Sequence, residues 1–300
     1  MKIRQDWKDA FTHLRLHFSL LLMPVYLFAL SQIQLINTTN AIITFCLLHL
    51  LVYPASNLFN SYYDRDNGSV GGIKNPPPAN SKMLLLANTL DLAAILVSTY
   101  IHPEIGVFVT IYIIASRLYS YRPIRLKQYP FIGFLVIFIF QGAFTFYLSA
   151  KASYGLNSMT QHLESFCLIG VPIHKYILAM LASSFQIGAI YPLTQIYQHQ
   201  SDLDDGVTTL SYKLGYRGTF IFSGLMFGIS TVFYYLHFKD LDINSFYLLL
   251  IVQIPIIAYF VYWASKVWTD TKNADYKHTM QMNVIAAVVL NLFFIYLILT

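Results

Sequence analysis

Two stretches of this 300-residue chain repeat one pattern of polar residues, and the residue types in them are those that bind hard cations. Tyr53, Pro54, Asp64, Asp66 and Gly68 recur as Tyr191, Pro192, Asp202, Asp204 and Gly206, each 138 residues further on and without a gap. Five more positions carry close chemical substitutes: Ser56/Thr194, Asn57/Gln195, Leu58/Ile196, Phe59/Tyr197 and Asn60/Gln198. On a helix, Asn57, Asn60, Ser61 and Asp64 share one face, and Gln195, Gln198, Asp202 and Asp205 repeat that stripe. Each stretch thus offers amide oxygens one or two turns below carboxylates. Oxygen ligands facing each other across a cavity suit Mg²⁺, which keeps waters and bridges carboxylates to a substrate phosphate. The candidate metal ligands are Asn60, Asp64, Asp66, Gln198, Asp202, Asp204 and Asp205, with Asp64, Asp202 and Asp205 the catalytic acids.

Complementary charge lies between the two stretches. The segment from Tyr119 to Lys127 carries Arg122, Arg125 and Lys127, and Lys74 follows a glycine-rich run from Gly68 to Gly72. Cations and free backbone N–H groups are what a diphosphate needs beside its metals. Each of these residues also has a plainer reading. A cytoplasmic Lys or Arg can serve topology alone, and a glycine can serve a tight turn alone. The repeated amide–acid stripe on one membrane face is what favours chemistry.

The elements that position these residues are membrane helices. The chain is 56% hydrophobic and 11% charged, against about 25% charged in soluble domains. Its apolar residues fall into runs long enough to cross a bilayer core of about 30 Å. Nine are expected: Leu16–Ile36, Ala41–Asn60, Met83–Ile101, Ile105–Tyr119, Pro130–Leu148, Tyr176–Ile196, Thr219–His237, Phe246–Lys266 and Met282–Leu299. The fourth is the shortest. The runs lack the alternation of a membrane β-barrel. With the N-terminus cytoplasmic, 16 of the 19 Lys and Arg residues fall on the cytoplasmic side, and Lys151, Lys175 and Lys239 on the other. That bias is the positive-inside pattern, which a miscounted helix would have scrambled.

The expected fold is therefore an all-α integral membrane protein. It has nine transmembrane helices in a pseudo-duplicated bundle, an N-terminus in the cytoplasm, and one domain with halves near 1–150 and 151–300. The net charge of +5 belongs to cytoplasmic loops, and no basic stripe with interleaved aromatics points to nucleic acid. The basic start of the chain reads as a first membrane helix, not a removed signal peptide. Cys46 and Cys167 imply neither a disulfide nor a metal site, and no histidine has metal-ligand spacing.

On the two acidic helix ends, the nine spans and the loop Tyr119-Ser-Tyr-Arg-Pro-Ile-Arg-Leu-Lys127, the chain resembles the UbiA superfamily of membrane prenyltransferases. The segment 270–283 before the last helix resembles the family too. Carried over, the first family motif, Asn-Asp-x-x-Asp-x-x-x-Asp, places its Asn on Asn60 and its middle Asp on Asp64. Its second residue falls on Ser61 and its last Asp on Gly68. The second motif, Asp-x-x-x-Asp, falls on Ser201 and Asp205, with Asp202 as the stand-in for the missing acid. These departures mark a divergent branch.

The resemblance implies Mg²⁺-dependent transfer of an isoprenyl group from a prenyl diphosphate to an acceptor, often aromatic, within the membrane. It implies that Asn60, Asp64, Asp202 and Asp205 hold the metal, and that Lys74, Arg122, Arg125 and Lys127 bind the diphosphate. Aromatic faces can stabilise an allylic cation, which makes Tyr62, Tyr63, Tyr119 and Tyr197 pocket candidates, with Asn57 and the intrahelical Asp91. Asp91 also suits an interhelical hydrogen bond. The competing readings are a transporter with duplicated halves and a non-catalytic relative that binds prenyl diphosphate. A bacterial cytoplasmic membrane is the expected location.

Overall fold

The computed structural model describes residues 2–65, 68–154 and 173–300. Among them the chain forms nine long helices and no strand, only two isolated bridges. We label them α1 (Ile3–Ser31), α2 (Thr38–Asp64), α3 (Ser81–Ile101), α4 (Pro103–Ser120), α5 (Pro130–Ser153), α6 (Ile173–Asp204), α7 (Leu210–Phe238), α8 (Ile243–Thr269) and α9 (Tyr276–Leu299). All but α4 are long and apolar enough to cross a membrane by length and composition. The chain is a multi-pass integral membrane protein. Its lipid-facing surface is apolar, as at Leu96, Leu225, Val261 and Leu292, because hydrocarbon offers no partner to a polar group.

Two helices begin earlier than their apolar runs. Ahead of the expected start at Leu16, Lys2–His13 is helical, and the chain breaks at Arg15, whose φ of 51° is left-handed. Similarly, α7 starts at Leu210, where Thr209 accepts a hydrogen bond from the Tyr212 N–H at 3.3 Å, and is interrupted at Gly215. Capping by a Thr side chain satisfies a backbone donor that hydropathy does not register. Elsewhere Asn80 caps α3, His102 caps α4 and Asp275 caps α9.

The helices that carry the acidic ends are not uniform. Leu47–Val52 is a wide π turn just before Pro54 in α2, and Ile196–Gln198 is a tight 3-10 turn just after Pro192 in α6. Proline has no N–H for the helix ladder, so the backbone around it rewinds. The most extensive packing is between α6 and α7. Contact between α5 and α6 runs through Gly142, where an added Cβ would lie 2.4 Å from Ser184 Cα. The Ser184 hydroxyl accepts the Ala143 N–H there at 2.9 Å. Phe28 of α1 sits at the centre of the core, stacked on Phe294 with centroids 4.9 Å apart.

Candidate active site

One cavity of about 240 Å³ opens between α1, α2, α4, α5, α6 and α9. From α2 it receives Asn57, Asn60, Ser61 and Asp64, the whole stripe read from the helical spacing. From α6 it receives Gln195, Gln198 and Asp202. The two acidic helix ends therefore face one space. Asp205, the last member of the second stripe, does not line the cavity. It lies just past the end of α6, and its carboxylate is engaged elsewhere.

The turn between α4 and α5 engages it. Backbone hydrogen bonds from Ile124 and Arg125 to Tyr121 O, at 3.0 and 2.7 Å, fold this segment back on itself. Arg125 takes a left-handed φ of 44° and is buried. Its guanidinium donates to Asp64 Oδ1 at 3.1 Å and also pairs with Asp205 Oδ2. A single side chain thus ties the two acidic ends together. Arg122 adds a bond to Asp205 Oδ1 at 3.0 Å and one to Tyr63 O at 2.7 Å. Lys127 pairs with Asp64 Oδ2 and lines the cavity. Burial alone would lower the Arg125 pKa, but its bonds to Asp205 and Asp64 outweigh that and hold it above the ordinary guanidinium value. Arg125 stays charged at every working pH.

Three further features complete the lining. Arg15, at the break in α1, is buried and reaches Asn57 O at 3.0 Å, Ser61 Oγ at 3.3 Å and Gly71 O at 3.4 Å. The loop after α2 folds over the cavity: Val70 and Ile73 exchange backbone hydrogen bonds of 2.9 Å, and Gln198 donates to Ser69 O at 3.2 Å. Gly72 turns this loop at φ 85°, and an added Cβ would lie 2.9 Å from His17 Nε2. Deeper, Tyr119 and Tyr191 share a short hydroxyl contact, and Gln195 donates to Tyr191 at 2.7 Å. Ser116 donates to Ser56 at 2.8 Å.

Several residues expected here lie elsewhere. Tyr62 and Tyr63 stay off the cavity and pack against the cluster of Leu58, Phe59 and Met83. Asp91 pairs with Arg117, whose guanidinium also lies 3.8 Å from the centroid of the Phe59 ring; this is a bridge between α3 and α4. Lys74 is exposed and does not line the cavity. Asp204 is exposed and accepts from Gln200 at 2.7 Å. Asp66 and Cys167 lie outside the described residues. Asn57, Tyr119 and Tyr197 do line the cavity. Sequence reasoning missed Arg15, counted there only as a topological charge. A lone Arg set at the start of an apolar run is the signal that could have found it.

The fit to a hard cation is visible in one atom. Asn60 Oδ1 is buried, without a hydrogen-bond partner, in a side chain that lines the cavity. Oxygen donors from Asp64, Gln198 and Asp202 line the same space. Among the described residues, no three His, Cys, Asp or Glu side chains gather closely enough to hold a metal. The carboxylates of Asp64 and Asp202 with the amide oxygens of Asn60 and Gln198 are donors that Mg²⁺ can use, since it takes one or two carboxylates and completes its shell with water and substrate phosphate.

The sequence model of the UbiA prenyltransferase family matches residues 21–285. The fold is similar to that of a UbiA homolog from Archaeoglobus fulgidus bound to DMAPP and Mg²⁺. That likeness has a TM-score of 0.65 at 15% identity and covers 97% of this chain and 99% of that one. A UbiA homolog from Aeropyrum pernix K1 has the same TM-score and identity, over 93% and 97% of the two chains. Digeranylgeranylglyceryl phosphate synthase is similar with a TM-score of 0.61 at 16% identity, over 99% and 100%. At these identities the likeness is one of fold. No curated protein matches the chain in sequence.

Proposed function

The chain belongs to the UbiA prenyltransferase family, and from that premise we propose that it transfers an isoprenyl group from a prenyl diphosphate to an acceptor whose reacting atom meets the donor in the acidic cavity. The observation that carries this reading is the convergence of Asp64, Asp202, Asn60 and Gln198 with Lys127 and Arg15 on one buried space. We also read the two acidic helix ends as products of a duplication, with halves near 1–150 and 151–300, since each half contributes one end.

The chemistry follows from the charges. The donor's C1–O bond breaks with its electron pair leaving on the diphosphate. An electron pair of the acceptor forms the new bond to C1, and the acceptor's proton is lost to a diphosphate oxygen or water. Lys127 and Arg15 neutralise the departing anion, with Arg125 and Arg122 beside them. Asn60, Asp64, Gln198 and Asp202 would hold Mg²⁺, which supplies further charge neutralisation to the leaving group. Tyr112, Tyr119, Tyr191 and Phe140 line the deeper cavity, where aromatic faces shelter an allylic cation from water.

The test is Mg²⁺-dependent release of pyrophosphate from geranyl, farnesyl and geranylgeranyl diphosphates by protein in detergent, over a panel of acceptors. Asp64→Asn and Asp202→Asn are each expected to lower turnover by about 10²-fold or more, and EDTA to abolish it. Tight Mg²⁺-dependent binding of a prenyl diphosphate without turnover on any acceptor would point to the non-catalytic relative. Absence of binding would sink the reading.

A further inference from the structure

A second cavity, of about 280 Å³, lies between α6, α7, α8 and α9. Positions 186, 189, 190 and 193 of α6 line it, whereas 187, 190, 191 and 194 line the acidic cavity. The two spaces flank α6 on different faces, and Ile190 is common to both. On α9 the division is equally sharp, with Asn283 in the acidic cavity and the adjacent Met282 in the second. Thr279 donates to Leu193 O at 3.4 Å, which ties α9 to α6 one turn before this level. The cavities therefore adjoin along α6 and α9, with the Ile190 side chain in the wall of both and Asn283 on the acidic side.

The second cavity is built for hydrocarbon. Its walls are apolar apart from Gln186 and Ser223, and Gln186 already accepts the Tyr234 hydroxyl at 2.5 Å. Its rim includes Ile257 and Val261, which are 43% and 58% exposed and face lipid. The acidic side of the shared wall is different. Asn283 is 4% exposed, and its Nδ2 is buried without a hydrogen-bond partner. A buried donor left unpaired is unfavourable, and a hydrocarbon chain cannot pair it. An oxygen can.

Resting on the prenyl-transfer reading, we propose that the second cavity holds the hydrocarbon chain of the acceptor, a membrane lipid whose oxygen-bearing head reaches past Ile190 to Asn283 Nδ2. On this proposal the donor leaves Asn283 to the acceptor. Its only oxygens are in the diphosphate, which the charged mouth holds, and its own chain has the apolar wall of Leu21, Leu22, Ile137 and Phe140 to lie along. The acceptor thus arrives from the bilayer side and meets the donor from across α6.

The experiment photolabels the full chain, in nanodiscs, with hexadecanol carrying a diazirine on its alkyl chain. Label is expected on peptides containing Ser223, Phe227 or Phe260. Excess hexadecanol should remove it, and hexadecane or geranylgeranyl diphosphate should not. Gly224→Leu fills the cavity; an added Cβ meets only Phe260, at 3.8 Å, so the variant is expected to keep its melting temperature within a few degrees and to lose labelling. Asn283→Leu removes the donor at similar volume and should weaken labelling about tenfold, with Asn283→Gln keeping most of it. Labelling that survives Gly224→Leu, is indifferent to Asn283→Leu, or yields to hexadecane or to the prenyl diphosphate overturns the proposal. Mg²⁺-dependent binding of geranylgeranyl diphosphate to the same samples checks the transfer reading separately. Its absence with labelling intact would overturn the acceptor role and leave a lipid site.

Discussion

At the scale of single residues, the Arg125 guanidinium is the least replaceable group at the mouth. It serves Asp64 and Asp205 at once, so Arg125→Ala leaves Asp64 to Lys127 and Asp205 to Arg122. Breaking such a buried pair is expected to cost about 3 kcal/mol, read as a lower melting temperature in detergent. Arg125→Lys should rescue little of this, because a point charge cannot span two carboxylates. Asn60→Ala should raise the Mg²⁺ concentration for half-maximal activity by roughly tenfold or more, with donor affinity at saturating metal little changed. Asn60, Asp64 and Lys127 were legible because helical spacing and charge alone place them. The same spacing speaks against Tyr62 and Tyr63. They sit on helix faces turned away from the stripe, and closeness in sequence to Asp64 does not put them in its cavity. Lys74 was beyond reach of the sequence, since the Val70–Ile73 turn decides where it points.

At the scale of elements, the reading assumed a uniform helix through the second stripe, and the 3-10 turn at Ile196–Gln198 departs from that. Three residues at the tighter winding advance the helix face by about 60° more than α-helical winding does. Asp202 still lines the cavity, while Asp205 lies beyond it and meets Arg122 and Arg125 instead. Proline at 192 hinted at irregularity, but sequence alone does not say which way the backbone rewinds. The tight contact at Gly142 makes a sharper prediction. Gly142→Val must push α5 off Ser184 and is expected to destabilise by about 1–3 kcal/mol. Gly228→Ala is the control, since nothing lies within 4 Å of its added Cβ. It should gain about 0.5–1 kcal/mol of helix propensity. Thermal unfolding of the two variants side by side checks both signs.

At the scale of the whole molecule, hydropathy and the Lys/Arg bias led to nine helices. The shortest expected span, α4, is the one not long and apolar enough to count by itself. At 18 residues it reaches about 27 Å, close to the hydrocarbon thickness. Two of the lysines expected on the far side are paired there, Lys151 with Glu104 and Lys175 with Asp240, each at 2.5 Å. They add little net positive charge to that end. Depth was not legible: no local pattern reveals that α6 separates two cavities, because that depends on how four helices pack. A donor diphosphate with Mg²⁺ should bridge α2 and α6 and stabilise the entire bundle. At a hundred times its dissociation constant the gain is about 2.7 kcal/mol, measured as a thermal shift that EDTA removes.

The pairing of Asp64 with Arg125 and Lys127 has a consequence for how the site is switched on. A metal arriving alone would take the carboxylates and strand the cations in a low-dielectric space, and a diphosphate alone would strand the carboxylates. Only both together leave every charge matched. On the proposed reading, the mouth would then work as a coincidence detector, an AND gate whose two inputs each raise the affinity for the other by the same factor.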